Sequence, residues 1–209
     1  ATLCLTIAVL FGSVGVSASA DYQKGVDAYR KSDYATALKQ WKIAAEQGDA
    51  VAQLNLGTMY YRGQGTPKNN KMAAKWYSLA AKQGYAKAQY SLGLLHENGT
   101  GVPKDPKSAI KWYKLAAKQG NSDAPHNLGV MYRNGNGVPQ NRQTALKWYR
   151  LAAKQGNPHS AFALGLMHSK GDGIPQDYEK AVKWFRLASG WGHIPSQFNL
   201  GKFYYFGDG

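Results

Sequence analysis

The chain has 209 residues, with 26 Lys+Arg against 12 Asp+Glu and a formal net charge of +14. At 44% hydrophobic and 18% charged residues it is neither a disordered chain nor a polytopic membrane protein. The single cysteine, Cys4, excludes an intramolecular disulfide framework, a cysteine-ligated zinc site and a CxxC redox pair.

Residues 1–20 carry no charged side chain, and all the charge lies from Asp21 onward. Leu3 to Val16 is apolar, and Ala18-Ser19-Ala20 follows as the A-x-A end of a secretory signal peptide. Neither a Met nor a basic segment precedes Ala1, so the gene product is expected to begin further upstream. An uncleaved anchor is the competing reading, but it needs about 20 predominantly apolar residues. Ser, Thr and Gly interrupt this run, which favours cleavage, with no stable membrane insertion afterwards. Cys4 precedes the apolar run rather than following it, which disfavours a lipoprotein. The expected destination is the periplasm or the secreted space.

The remainder repeats one motif. Gly57, Gly93, Gly129, Gly165 and Gly201 are each 36 residues apart, and a leucine precedes every one. Trp76, Trp112, Trp148 and Trp184 keep this period, as do Pro67, Pro103, Pro139 and Pro175. Each repeat is therefore one structural unit. At about 100° per residue, Ala88, Leu92, Leu95 and His96 share one face of a first helix. Gly93 within that helix points to a neighbour too close for a Cβ. Gly99-Thr-Gly-Val-Pro103 ends the helix, Asp105 and Pro106 open a second one, and Gly120 closes it. Antiparallel helix pairs of this kind stack into an all-α solenoid.

These blocks resemble the Sel-1-like repeat, a relative of the tetratricopeptide repeat. The likeness covers four full units at 52–87, 88–123, 124–159 and 160–195. Residues 21–50 resemble a shorter, tetratricopeptide-like opening pair, and 196–209 the first helix of a further, truncated repeat. His96 and His168 depart from the usual Tyr, and Ser189-Gly190-Trp191-Gly192 from Ala-Lys-Gln-Gly. The resemblance implies a right-handed superhelix and a scaffold or adaptor for protein contacts, often in the bacterial envelope.

No catalytic, cofactor or metal site is expected. The five histidines form neither HExxH nor HxxxH. His96 and His168 take the place of Tyr60, Tyr132 and Tyr204 and read as packing residues. The Gly-x-Gly pairs lack the third glycine of a phosphate loop, and turn geometry accounts for them. Asp105 and Asp177 read as helix N-caps rather than acid/base groups. The four repeat tryptophans read as core between successive helix pairs.

Two surfaces then stand out. On the first helices, Leu54, Thr58, Tyr61; Tyr90, Leu94, Glu97; His126, Val130, Arg133; Phe162, Leu166, Ser169; and Phe198, Lys202, Tyr205 point away from the packing face and change character in every repeat. They are expected to line a concave groove for a protein or peptide partner. On the second helices, Lys75, Lys82, Lys111, Lys114, Lys118, Lys147, Arg150, Lys154, Lys183 and Arg186 form an outward basic stripe, suited to solubility or to an anionic envelope polymer, lipid head groups or an acidic protein. Nucleic acid is a poor candidate for an exported chain. The expected function is a non-enzymatic interaction scaffold of the envelope or secreted space. Its rivals are a polyanion- or membrane-surface-binding protein and an accessory part of a cell-wall hydrolase, which no catalytic pair in these residues supports.

Overall fold

The computed structural model describes residues 20–206, so the expected signal peptide, apart from Ala20, lies outside the described residues. All regular structure there is helical. Helix α1 covers residues 20–30 and is followed by α2 (Tyr34–Glu46), α3 (Ala50–Arg62), α4 (Asn70–Lys82) and α5 (Ala86–Asn98). Then come α6 (Pro106–Lys118), α7 (Asp123–Asn134), α8 (Arg142–Lys154), α9 (Pro158–Lys170), α10 (Tyr178–Gly190) and α11 (Ile194–Phe206). The chain divides between Asp105 and Pro106 into two compact units, α1–α5 and α6–α11.

Within each unit consecutive helices pack on one another, which is the helix-pair stacking of an α-solenoid. Helices α3, α5 and α7 bury Ala, Leu and Met or Leu at i, i+4 and i+7: Ala52, Leu56, Met59 on α3, and Ala88, Leu92, Leu95 on α5. The even-numbered helices bury a strictly periodic alanine, seen at Ala37, Ala73, Ala109, Ala145 and Ala181. Alanine there lets helices approach closely, and the aromatic after each tryptophan fills the space beside it. Tyr77, Tyr113, Tyr149 and Phe185 are all buried.

The helical glycines meet these rings. A Cβ on Gly57 would lie 2.7 Å from the Tyr77 ring, and one on Gly129 or Gly165 would lie 2.5 Å from Tyr149 or Phe185. The opening pair obeys the same rule with a shorter loop, since Gly25 has no room for a Cβ beneath Trp41. Gly201 on α11 has nothing within 4 Å of such a Cβ.

Local signals explain the helix ends. Asp49 accepts from the Val51 and Ala52 amides at 2.8 Å, and Asp177 from Lys180 N at 2.8 Å. The expected N-cap role of Asp177 therefore holds, and α6 opens at Pro106. In the loop after α3, Gly63 is the left-handed C-cap at φ 72° and Gly65 has φ 68°. Gly65 also presses against the backbone of Tyr34, at the start of the preceding even helix. Each second glycine thus serves turn geometry and repeat-to-repeat contact together.

Candidate partner-binding surfaces

The positions expected to line a groove separate into three kinds. Some converge on pockets. In the first unit Tyr61 at the end of α3 and Leu94 on α5 line a cavity of about 170 Å³ with Tyr77, Ser91 and Asn98. In the second unit Leu166 and Ser169 on α9 and Lys202 on α11 line one of about 280 Å³ with Tyr178 and Phe203. Phe198 and Tyr205 are 63% and 83% exposed, and the Lys202 ammonium lies 4.7 Å from the Phe198 ring centre.

Others hold the scaffold. The Thr58 hydroxyl donates to the Leu54 carbonyl at 3.0 Å and accepts from Tyr77 Oη at 3.1 Å, so it fixes the ring that covers Gly57. Arg133 donates through Nε to Asp172 at 3.0 Å, and Arg142 grips the same carboxylate from the other side. Phe162 is half-buried, its ring centre 5.7 Å from Phe185 and 4.8 Å from His193. Val130 packs beside it against one core cluster. Tyr90 and Glu97 are half-buried on α5.

His126 is the third kind. Its Nδ1 lies 2.8 Å from Ser160 Oγ, and its ring 6.0 Å from that of His159, which in turn lies 5.0 Å from His193. Burial pushes the His126 imidazole down to about 4, the neighbouring His159 adds to this, and Asp123 opposes it. Ser160 is fully buried at a position where earlier repeats carry alanine. That break in the period, alongside a histidine between the buried Ala124 and Leu128, is the sequence signal for the contact.

The basic stripe lies outward, and every one of its side chains is exposed. Two features of this face correct the sequence reading. Of the four repeat tryptophans only Trp76 is core, at 5% exposure, while Trp112, Trp148 and Trp184 are half-buried. The reason is that neighbouring even helices leave gaps. The edge of Trp148 faces the space between α6 and α8, and that of Trp184 the space between α8 and α10. Second, Leu79, Leu151 and Leu187 are exposed among the lysines. Each follows its tryptophan by three residues in every repeat, a period as strict as that of the core.

Among the described residues no group of three or more His, Cys, Asp or Glu could hold a metal ion, and no helix is long and apolar enough to cross a membrane. His168 is buried as a packing residue, with burial pushing its imidazole below the ordinary range.

Stacked helix pairs with a fixed core and variable outward positions define a helical-repeat protein. The model of the Sel1 repeat matches residues 11–49, 50–85, 86–121, 122–157, 158–189 and 194–209, the first match starting inside the segment expected to be a signal peptide. The chain belongs to the Sel1 repeat family, whose members mediate protein–protein interactions. It is similar to c5321, a protective antigen of uropathogenic Escherichia coli with an SLR fold, at 44% identity and a TM-score of 0.78. That likeness covers 81% of this chain but 36% of the antigen, so the chain spans about a third of that relative. A Sel1 repeat protein from Oxalobacter formigenes is 35% identical with a TM-score of 0.79, over 86% of this chain and 74% of that one. A Sel1 repeat protein from Klebsiella pneumoniae, 20% identical with a TM-score of 0.57 over 91% of this chain and 95% of that one, shares the fold. No curated protein sequence matches the chain.

Proposed function

We propose that the chain is a non-enzymatic scaffold, exported to the periplasm or the secreted space, that holds protein or peptide partners on its odd-numbered helices. The observation that carries this reading is the contrast within one repeat. Leu92 is buried at a position that is leucine in every repeat, while Leu94, two residues on, lines an open pocket with Tyr61 at a position that reads Thr58, Leu94, Val130, Leu166 and Lys202 along the chain. A surface whose chemistry changes stepwise along a stack suits an extended or helical peptide. Exposed aromatics such as Phe198 and Tyr205 supply the anchors such contacts favour.

Photo-crosslinking tests it. A photoreactive side chain at Tyr61 or Leu166 should join the chain to one defined partner in an envelope extract, and the same group at exposed Lys104 should not. Identical adducts from all three positions, or none, would remove the groove assignment. N-terminal sequencing of the exported protein should find it beginning at or near Asp21.

A further inference from the structure

The gap between α6 and α8 is an elongated groove of about 650 Å³, within the range of built binding sites. Its floor is apolar, made by Ile110 and Leu115 of α6 and by Trp148 and Leu151 of α8. Its rim is cationic. Lys111, Lys114 and Lys118 follow one another at i, i+3 and i+7, a line of about 10 Å at the helical rise of ~1.5 Å per residue.

Three observations set this apart from a merely solvated face. Neither α6 nor α8 contains a carboxylate, so the lysines lack the i, i+4 acidic neighbours that usually balance an exposed helix. Among the described residues none of these three lysines enters an ion pair. Lys111 and Lys114 instead lie 5.9 and 5.8 Å from the ring centres of Trp112 and Tyr132. The third is recurrence. One repeat further on, Trp184 and Leu187 wall a groove of about 500 Å³ edged by Arg150, Lys180 and Lys183.

An apolar floor alone would suit any hydrophobe, and a lysine row alone any polyanion. Side by side they select an amphiphile. A single lipid head group would meet only part of a row of this length. An α-helix with carboxylates at i, i+4 and i+7 beside an apolar stripe meets the whole of it, at the same rise. We infer that the groove between α6 and α8 binds an acidic amphipathic helix of a protein partner. This surface is distinct from the odd-helix groove, and either can fail without the other.

The experiment uses the full chain and a short fluorescein-labelled synthetic helix with one leucine stripe flanked by glutamates, read by anisotropy. A scrambled peptide of equal composition, poly-glutamate and phosphatidylglycerol vesicles are run beside it. The helix should bind with salt-sensitive affinity and outcompete the scrambled peptide and poly-glutamate by about tenfold or more. Charge reversal by Lys111→Glu with Lys114→Glu should weaken binding by about tenfold or more, and Leu151→Ser by several-fold. Lys104→Gln, at an exposed lysine outside both surfaces, should leave it nearly unchanged. Circular dichroism melts on the variants separate lost binding from lost folding. Equal binding of poly-glutamate with no effect of Leu151→Ser would overturn the inference in favour of a plain charge patch. Preferential binding to the vesicles would overturn it in favour of a lipid surface, and absence of binding would overturn it outright.

Discussion

The Tyr77 ring closes over Gly57, leaving 2.7 Å to where a Cβ would stand, and the Tyr77 hydroxyl is tied to Thr58 at 3.1 Å. The ring is therefore held at both its buried face and its tip, so it cannot swing aside. Gly57→Ala forces overpacking, a change that costs about 1–3 kcal/mol. The gain in helix propensity, about 1 kcal/mol, offsets part of that.

Gly201 supplies the opposite sign. Nothing lies within 4 Å of a Cβ built on it, and it is helical in α11. Gly201→Ala should stabilise by about 0.5–1 kcal/mol, since only the backbone-entropy term remains. Urea midpoints of the two variants check both signs, and a stabilised Gly57→Ala would refute the close packing.

Much of this was legible because the repeat prints the same contact many times. The 36-residue period of the helical glycines is itself the mark of a close helix approach. Gly25 falls outside that period because the opening pair brings its partner Trp41 after 16 residues, where the other pairs use 20. A helical wheel gives the face of a side chain but not the width of the gap beside it. That is why half-buried Trp148 reads as core, why exposed Leu151 does not stand out, and why Phe162 reads as outward although Phe185 and His193 close over it. Arg133 is a further case, since its tie to Asp172 depends on a loop 39 residues away.

His126 makes stability depend on pH. Its pKa falls from an ordinary 6.5 to about 4 on folding, so the unfolded chain takes up the proton first. Stability is then full above about pH 6.5 and is lost as pH falls towards 4, by on the order of 3 kcal/mol. His193, also pushed down by burial and by His159, adds in the same direction. Denaturant midpoints at neutral and mildly acidic pH should show the decline, and His126→Asn should flatten it. A variant with an unaltered slope would place the titration elsewhere.

The two arginines on Asp172 predict a modest tie between successive repeats. Their side chains are partly exposed, so screening limits the contribution to about 1 kcal/mol. Asp172→Asn should lower stability by that order, and Arg133→Ala should add little once the aspartate is gone. A double-mutant cycle measures this, and full additivity would show that the pair does not act together.

Leu92, Leu94 and Phe162 test the division between core and groove most directly. Leu92 is 3% exposed and contacts the packed interior, so Leu92→Ala should cost about 2–5 kcal/mol and melt early. Leu94 is half-buried at the mouth of a pocket, so Leu94→Ala should cost about 1 kcal/mol and act mainly on partner binding. Phe162 lies between these cases. Its ring packs against Phe185 and His193, so Phe162→Ala should lose stability as well as contact area. Thermal melts should therefore rank the variants Leu92→Ala, Phe162→Ala, Leu94→Ala from the earliest to the latest. Crosslinking from Tyr61 should survive Phe162→Ala at temperatures where the chain stays folded, and should drop with Leu94→Ala. If Leu94→Ala melts as early as Leu92→Ala, the pocket beside Tyr61 belongs to the core and no partner occupies it.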